Sequence, residues 1–159
     1  MRDVAVIGIG QTKISEHWDK SLRELAGEAA LIAMNEAQVP HVESVYVGNM
    51  LSGVSNAQGQ LGTMVSDWIG QRYIDAVKIE SACSSGSAAF RMGYLAVASG
   101  EVDIALVVAV EKMTDSPGNE ITAALATAAD ADYEVDQGVS FVGLNALIMK
   151  RYMFEYGWK

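Results

Sequence analysis

Cysteine occurs once in the 159 residues, at Cys83. A single thiol excludes an internal disulfide and any metal site built from several cysteines. It leaves Cys83 as inert core, a reactive group, or half of an intermolecular bridge. So little cysteine fits a reducing compartment, and a cytoplasmic protein is expected. Proline is nearly as scarce, with Pro40 and Pro117 marking the two places where helix is forbidden. Positive charge is in deficit: eleven Lys and Arg against twenty Asp and Glu give a formal net charge of −9. Nucleic acid is held by neutralising its phosphates, so that class of partner is disfavoured. Long apolar runs are missing too. The start, MRDVAVIGIGQTK, has no long apolar segment ending at a small-residue cleavage site, so no signal peptide is expected. The longest uncharged stretch, Ser44 to Ser66, is too rich in Gly, Ser, Asn and Gln to span a bilayer, so a soluble protein is expected with no membrane partner.

What is present reads as one globular domain, 50% hydrophobic and 19% charged. Val4 to Ile9 is a β-branched-rich apolar run closed by Gly8 and Gly10, the pattern of a strand buried on both faces. Ser21 to Ala37 repeats Leu22, Leu25, Ala29, Ile32 and Ala33 at helical spacing, with Ser21 and Glu24 placed as a capping box. Ser44 to Met50 and Asp75 to Ile79 read as further strands, and Gln58 to Ile69 as a helix between them. A polar turn, Ser81 to Gly86, leads into a helix from Ser85 to Ser99 that Gly100 terminates. Ile104 to Val110 is a fourth strand, seven apolar residues between Asp103 and Glu111.

That β-α-β-α-β-α-β order predicts an α/β fold, a mostly parallel sheet flanked by helices on both faces. Residues 112–140 break the alternation and are expected to be a short loop region over the sheet, with Pro117, Gly118 and the acidic series Asp130, Asp132, Glu134 and Asp136. A helix follows from Phe141 to Tyr156, closed by Gly157. An alternating chain would continue into another strand there, so the expectation is half of a larger assembly.

Three features bear on chemistry. The glycines of Val6-Ile7-Gly8-Ile9-Gly10 resemble the opening of a dinucleotide fingerprint, but Lys13 occupies the third glycine position and no helix opens at once. A tight turn is the preferred reading. The acidic series lacks the glycine and terminal glutamate spacing of a calcium loop, which makes it a solvated loop with no metal. Cys83 is the sharper signal, because it lies between a buried strand and a helix N-terminus. Free backbone N–H groups and the positive helix end there favour a thiolate and could also hold an oxyanion. A buried, inert cysteine remains open on chemistry alone. His17 and His41, the only histidines, fall in an early loop and beside Pro40 and read as surface residues rather than bases.

The segment Glu80-Ser81-Ala82-Cys83-Ser84-Ser85-Gly86-Ser87-Ala88-Ala89 resembles the nucleophile turn of the thiolase family. So do Asp3 to Gly8 its first strand, Gly48-Asn49-Met50 the end of its second, Glu111-Lys112-Met113-Thr114 the stretch after its fourth, and Lys150 to Gly157 the helix before its fifth. The likeness covers residues 1–159 in order. The short stretch between Glu111 and Phe141 is most similar to archaeal and sterol-carrier-type acetyl-CoA acetyltransferases. The resemblance implies an amino-terminal half paired with a similar carboxyl-terminal one, with Cys83 as nucleophile and backbone oxyanion donor. Apart from the resemblance, the scattered methionines read as core filler, with a substrate-pocket lining as the alternative for Met113. It implies coenzyme A thioesters as substrates with no further cofactor, and condensation of two acetyl-CoA into acetoacetyl-CoA for the mevalonate route, or the reverse. It further implies a homodimer through the strand Asp75 to Ile79, or a tetramer, and a complex with hydroxymethylglutaryl-CoA synthase through a zinc-containing bridging protein. The family's catalytic histidine, second cysteine and Asn-His pair would lie beyond these residues, and the chain alone is expected to be inactive. A longer-chain sterol-carrier-type thiolase, a ketoacyl synthase and a non-catalytic assembly module are the alternatives.

Overall fold

Ser21 starts the first helix as its sequence predicts. In the computed structural model, which describes residues 1–159, Ser21 caps α1 (Leu22–Ala37) with a complete capping box. The Ser21 hydroxyl accepts from Glu24 N–H, and the Glu24 carboxylate accepts from Ser21 N–H at 2.7 Å. The Ser21 hydroxyl also donates to the Glu24 carboxylate at 2.7 Å, and that bond first and the Ser21 N–H bond second hold the Glu24 carboxyl below its ordinary value of 4.5. A depressed carboxyl contributes stability above its ordinary value and loses it as pH falls through the folded value. Because Ser21 caps α1, Ser21→Ala should lower stability by about 1 kcal/mol at neutral pH. Urea midpoints should show the gap between variant and parent narrowing in acid, below 4.5, as the carboxylate bonds are lost while the Glu24 N–H cap bond remains.

Three strands form a parallel sheet in the order β2-β1-β3: β1 (Ser44–Gly48), β2 (Asp75–Ile79) and β3 (Ala105–Ala109). Residue alternation sends two sets of side chains to opposite faces. On one face Val45, Val47, Leu106 and Val108 are buried against Leu22, Ala26, Ala30 and Met34 of α1, together with Leu61 and Val65 of α3 (Leu61–Trp68). On the other lies α4 (Ser85–Ser99), where Gly93 packs on Val107 and Tyr46, and Gly86 on Ala109. Small residues let that helix settle close to the sheet. Gly100, at φ 89°, ends it as expected. A one-turn helix, α2 (Ser52–Ser55), was not anticipated and lies between β1 and α3.

The expected first strand does not form. Val4 to Ile9 makes no ladder, and Val6, Ile7 and Ile9 are more than half exposed. A strand needs a neighbour, and a cleft of about 490 Å³ separates this segment from β3. The segment is fixed at both ends instead. Arg2 donates to the carbonyls of Val97 and Val102 and pairs with Asp103. At the other end a Cβ on Gly8 or Gly10 would meet the α1 carbonyls of Ala33 or Ala29, at 2.4 and 2.1 Å. The two glycines therefore serve close packing on α1 rather than a nucleotide phosphate.

Residues 1–115 form one compact unit and residues 116–159 a second. The loop expected over 112–140 contains α5 (Gly118–Ala126) and a π-helical turn (Ala131–Val135). Pro117 does not interrupt a helix; it stands just before one, where its missing N–H is no loss. The acidic series has a local use: Asp130 caps the π turn by accepting from Asp132 N–H and Tyr133 N–H, and its own N–H donates to Glu134. Within this unit α6 (Phe141–Tyr156) touches α5, is capped by Ser140 and ends at Gly157 with φ 70°.

Candidate active site

The carboxyl ends of the three strands meet at one edge, where Gly48 lies in register with both Ile79 and Ala109. In open parallel sheets this is the edge at which ligands bind. The chain leaving β2 forms a 3₁₀ turn over Ala82–Ser84 and enters α4 at Ser85, which places Cys83, exposed, on the turn ahead of the helix. Hydroxyls shape the turn. Ser84 Oγ donates to the Ser81 carbonyl at 2.7 Å and lies 3.1 Å from Ser81 Oγ, while Ser84 N–H donates to the same carbonyl at 3.0 Å. Ser85 Oγ accepts from Ser81 N–H at 2.9 Å and donates to the Ala82 carbonyl at 2.6 Å. Ala82 N–H donates to the Glu80 carboxylate. Ala82 itself sits at φ 46°, a left-handed conformation its Cβ disfavours. No bond of the turn engages the Cys83 N–H.

A second cluster ties the neighbouring strand ends together. Buried Asn49 donates through Nδ2 to the Val110 carbonyl at 2.9 Å and to Glu111 Oε1 at 2.8 Å, and its Oδ1 accepts from Ser52 N–H. The Glu111 carboxylate also accepts from Met50 N–H at 3.0 Å and Leu51 N–H at 3.2 Å. One carboxylate thus gathers three donors from the loop after β1. Removing it in Glu111→Ala should cost about 1–3 kcal/mol, read as a lower urea midpoint, because Asn49 would remain buried with a donor unpaired. Just beyond lie Lys112, buried and paired with Asp115, and Met113, 40% exposed.

Of the residues singled out by sequence, Cys83 follows β2 and Met113 follows β3, so both fall beyond the carboxyl ends of the sheet's two outer strands, with β1 between them. Neither lines the 490 Å³ cleft beside the amino-terminal segment. His17 Nε2 is 2.6 Å from the Lys13 carbonyl and His41 is exposed; neither bonds to the Cys83 turn. Sequence reasoning did not assign Asn49, Glu111 or Ser85 a task. The motifs containing them were visible, but their partners are set by strand register and by one backbone angle.

A cysteine presented between a parallel strand and a helix, at the strands' carboxyl edge, restricts the comparison to folds with that turn. Residues 4–153 match the family model described as thiolase, N-terminal domain. The chain belongs to the thiolase family. It is 45% identical over 159 residues to an acetyl-CoA acetyltransferase of Methanothermobacter thermautotrophicus, and that alignment takes in 99% of this chain and 41% of the relative. With an acetyl-CoA acetyltransferase of Methanocaldococcus jannaschii the identity is 42%, over 99% of this chain and 40% of the relative. The chain therefore spans about two fifths of the length of these curated thiolase relatives. A solved structure of acetyl-CoA acetyltransferase from Syntrophomonas wolfei shares the fold with a TM-score of 0.63 at 24% identity, covering 70% of this chain and 29% of that one. The α/β thiolase half expected from sequence, of the archaeal type, is the fold and family found.

Proposed function

We propose that the protein is an acetyl-CoA acetyltransferase in which Cys83 carries the acetyl group. The observation that carries this reading is the exposed Cys83 on its turn ahead of α4, in a chain 45% identical to an acetyl-CoA acetyltransferase. The Cys83 thiolate attacks the thioester carbonyl of acetyl-CoA; an S–C bond forms, the bond to the coenzyme sulfur breaks, and that sulfur leaves as a thiolate that takes up a proton. During the attack the carbonyl oxygen becomes an oxyanion, and the unengaged Cys83 N–H is a donor for it. The enolate of a second acetyl-CoA then attacks the acetyl-Cys83 carbonyl, which releases acetoacetyl-CoA and returns the thiolate. Proton transfer needs a base within hydrogen-bond reach of the sulfur, and the family resemblance assigns that base to a histidine beyond these residues.

Met113, 40% exposed in the loop after Glu111, is assigned to the pocket wall at the same strand edge. The open outer edge of β2, which pairs with β1 alone, is assigned to the contact between two copies. The full-length protein, given acetoacetyl-CoA and coenzyme A, should consume both and produce acetyl-CoA. Turnover confined to longer acyl chains would replace the substrate in this reading, and no turnover with any acyl-CoA would remove the reading.

A further inference from the structure

Ser85 is the first residue of α4 and is 4% exposed, and its backbone packs directly on Gly48 of β1. From that position its Oγ reaches back across Ala82, accepting from Ser81 N–H and donating to the Ala82 carbonyl, which also accepts from the Ser85 N–H. The Ala82 carbonyl and the Cys83 N–H belong to the same planar trans peptide unit, so they point in opposite directions. Fixing one aims the other. The same bridge spans the residue whose left-handed φ of 46° would otherwise relax, because alanine gains nothing from that conformation.

Resting on the acyl-enzyme reading above, we propose that Ser85 is a positioning residue that holds Ala82 in its left-handed conformation. It thereby aims the Cys83 N–H and sulfur at the thioester. Ser85 touches no reacting atom; it acts through the Ala82–Cys83 peptide.

The test is single-turnover acetylation of the full-length protein by acetyl-CoA, followed by intact mass and by mapping of the acetyl group. Ser85→Ala removes the hydroxyl bridge from Ser81 N–H across Ala82 and leaves the backbone N–H bond to the Ala82 carbonyl in place. Ala82→Val leaves the bridge but puts a β-branched side chain at a positive φ. Both should label Cys83 to the parent stoichiometry, with the acetylation rate constant at saturating acetyl-CoA about 10–100-fold lower and the half-saturating concentration unchanged. Ala82→Gly placed on Ser85→Ala should recover most of the loss, since glycine takes the positive φ without penalty; it also serves if Ser85→Ala alone does not fold. A parent-like rate in either single variant would overturn the proposal. So would a smaller labelled fraction at an unchanged rate, because that pattern reports lost protein rather than lost geometry. A parent protein in which Cys83 takes up no acetyl group sinks the acyl-enzyme reading instead, and the two failures are thus distinct.

Discussion

Cys83→Ala should lower kcat/KM for acetyl transfer by at least about 10³-fold, equivalent to about 4 kcal/mol of transition-state stabilisation, with little change in fold. Cys83 is the only cysteine among residues 1–159, so no other thiol of this half stands at the strands' carboxyl edge. Its side chain is exposed on a 3₁₀ turn and packs into no core cluster, so truncation leaves no cavity in the hydrophobic interior. Loss of rate with an unchanged urea midpoint is therefore the signature to look for, and steady-state kinetics beside denaturation curves provide it. An alanine variant within tenfold of the parent would assign the chemistry to another group.

Gly48→Ala should be the most damaging single-methyl change near the site. A Cβ there would lie 2.5 Å from the Ser85 carbonyl oxygen and 2.8 Å from the Gly86 Cα. Both are backbone atoms at the start of α4, so nothing flexible can yield and the helix must shift on the sheet. Overpacking of this kind costs about 1–3 kcal/mol. The larger effect falls on chemistry, because the residues displaced, Ser85 and Gly86, open α4 two residues after Cys83. A misplacement near 1 Å lowers rates about 100-fold, and that is the drop expected in kcat/KM. Gly53→Ala is the matched control, since a Cβ at Gly53 meets nothing within 4 Å. Equal activities for the two variants would detach the Cys83 turn from the β1–α4 contact.

Local signals accounted for much of the fold. The Ser21–Glu24 box, the Gly100 and Gly157 terminators and the limits of β2, α4 and α6 all depend on residues within a few positions of one another, and each appears where the sequence places it. What failed was non-local. Val4 to Ile9 has strand composition, but pairing depends on which edge lies alongside, and here a cleft does. The helix α5 was masked by Pro117 and Gly118, which mark a loop as readily as a helix start. The candidate site divides the same way. Its cysteine and the helix behind it were legible, because a strand, a polar turn and a terminated helix are consecutive in the chain. The Asn49–Glu111 contact joins residues 62 apart, and the bridge of Ser85 depends on the φ of Ala82. Neither leaves a mark in residue order.

The central claim is that Cys83 forms the acyl-enzyme. The most direct measurement is to mix the full-length protein with acetyl-CoA, quench, digest, and weigh the peptide containing Glu80 to Arg91. The account predicts one acetyl group, located on Cys83 and removed by added coenzyme A. An acetyl group found on another residue and discharged by coenzyme A, with the Cys83 peptide unmodified, would contradict it.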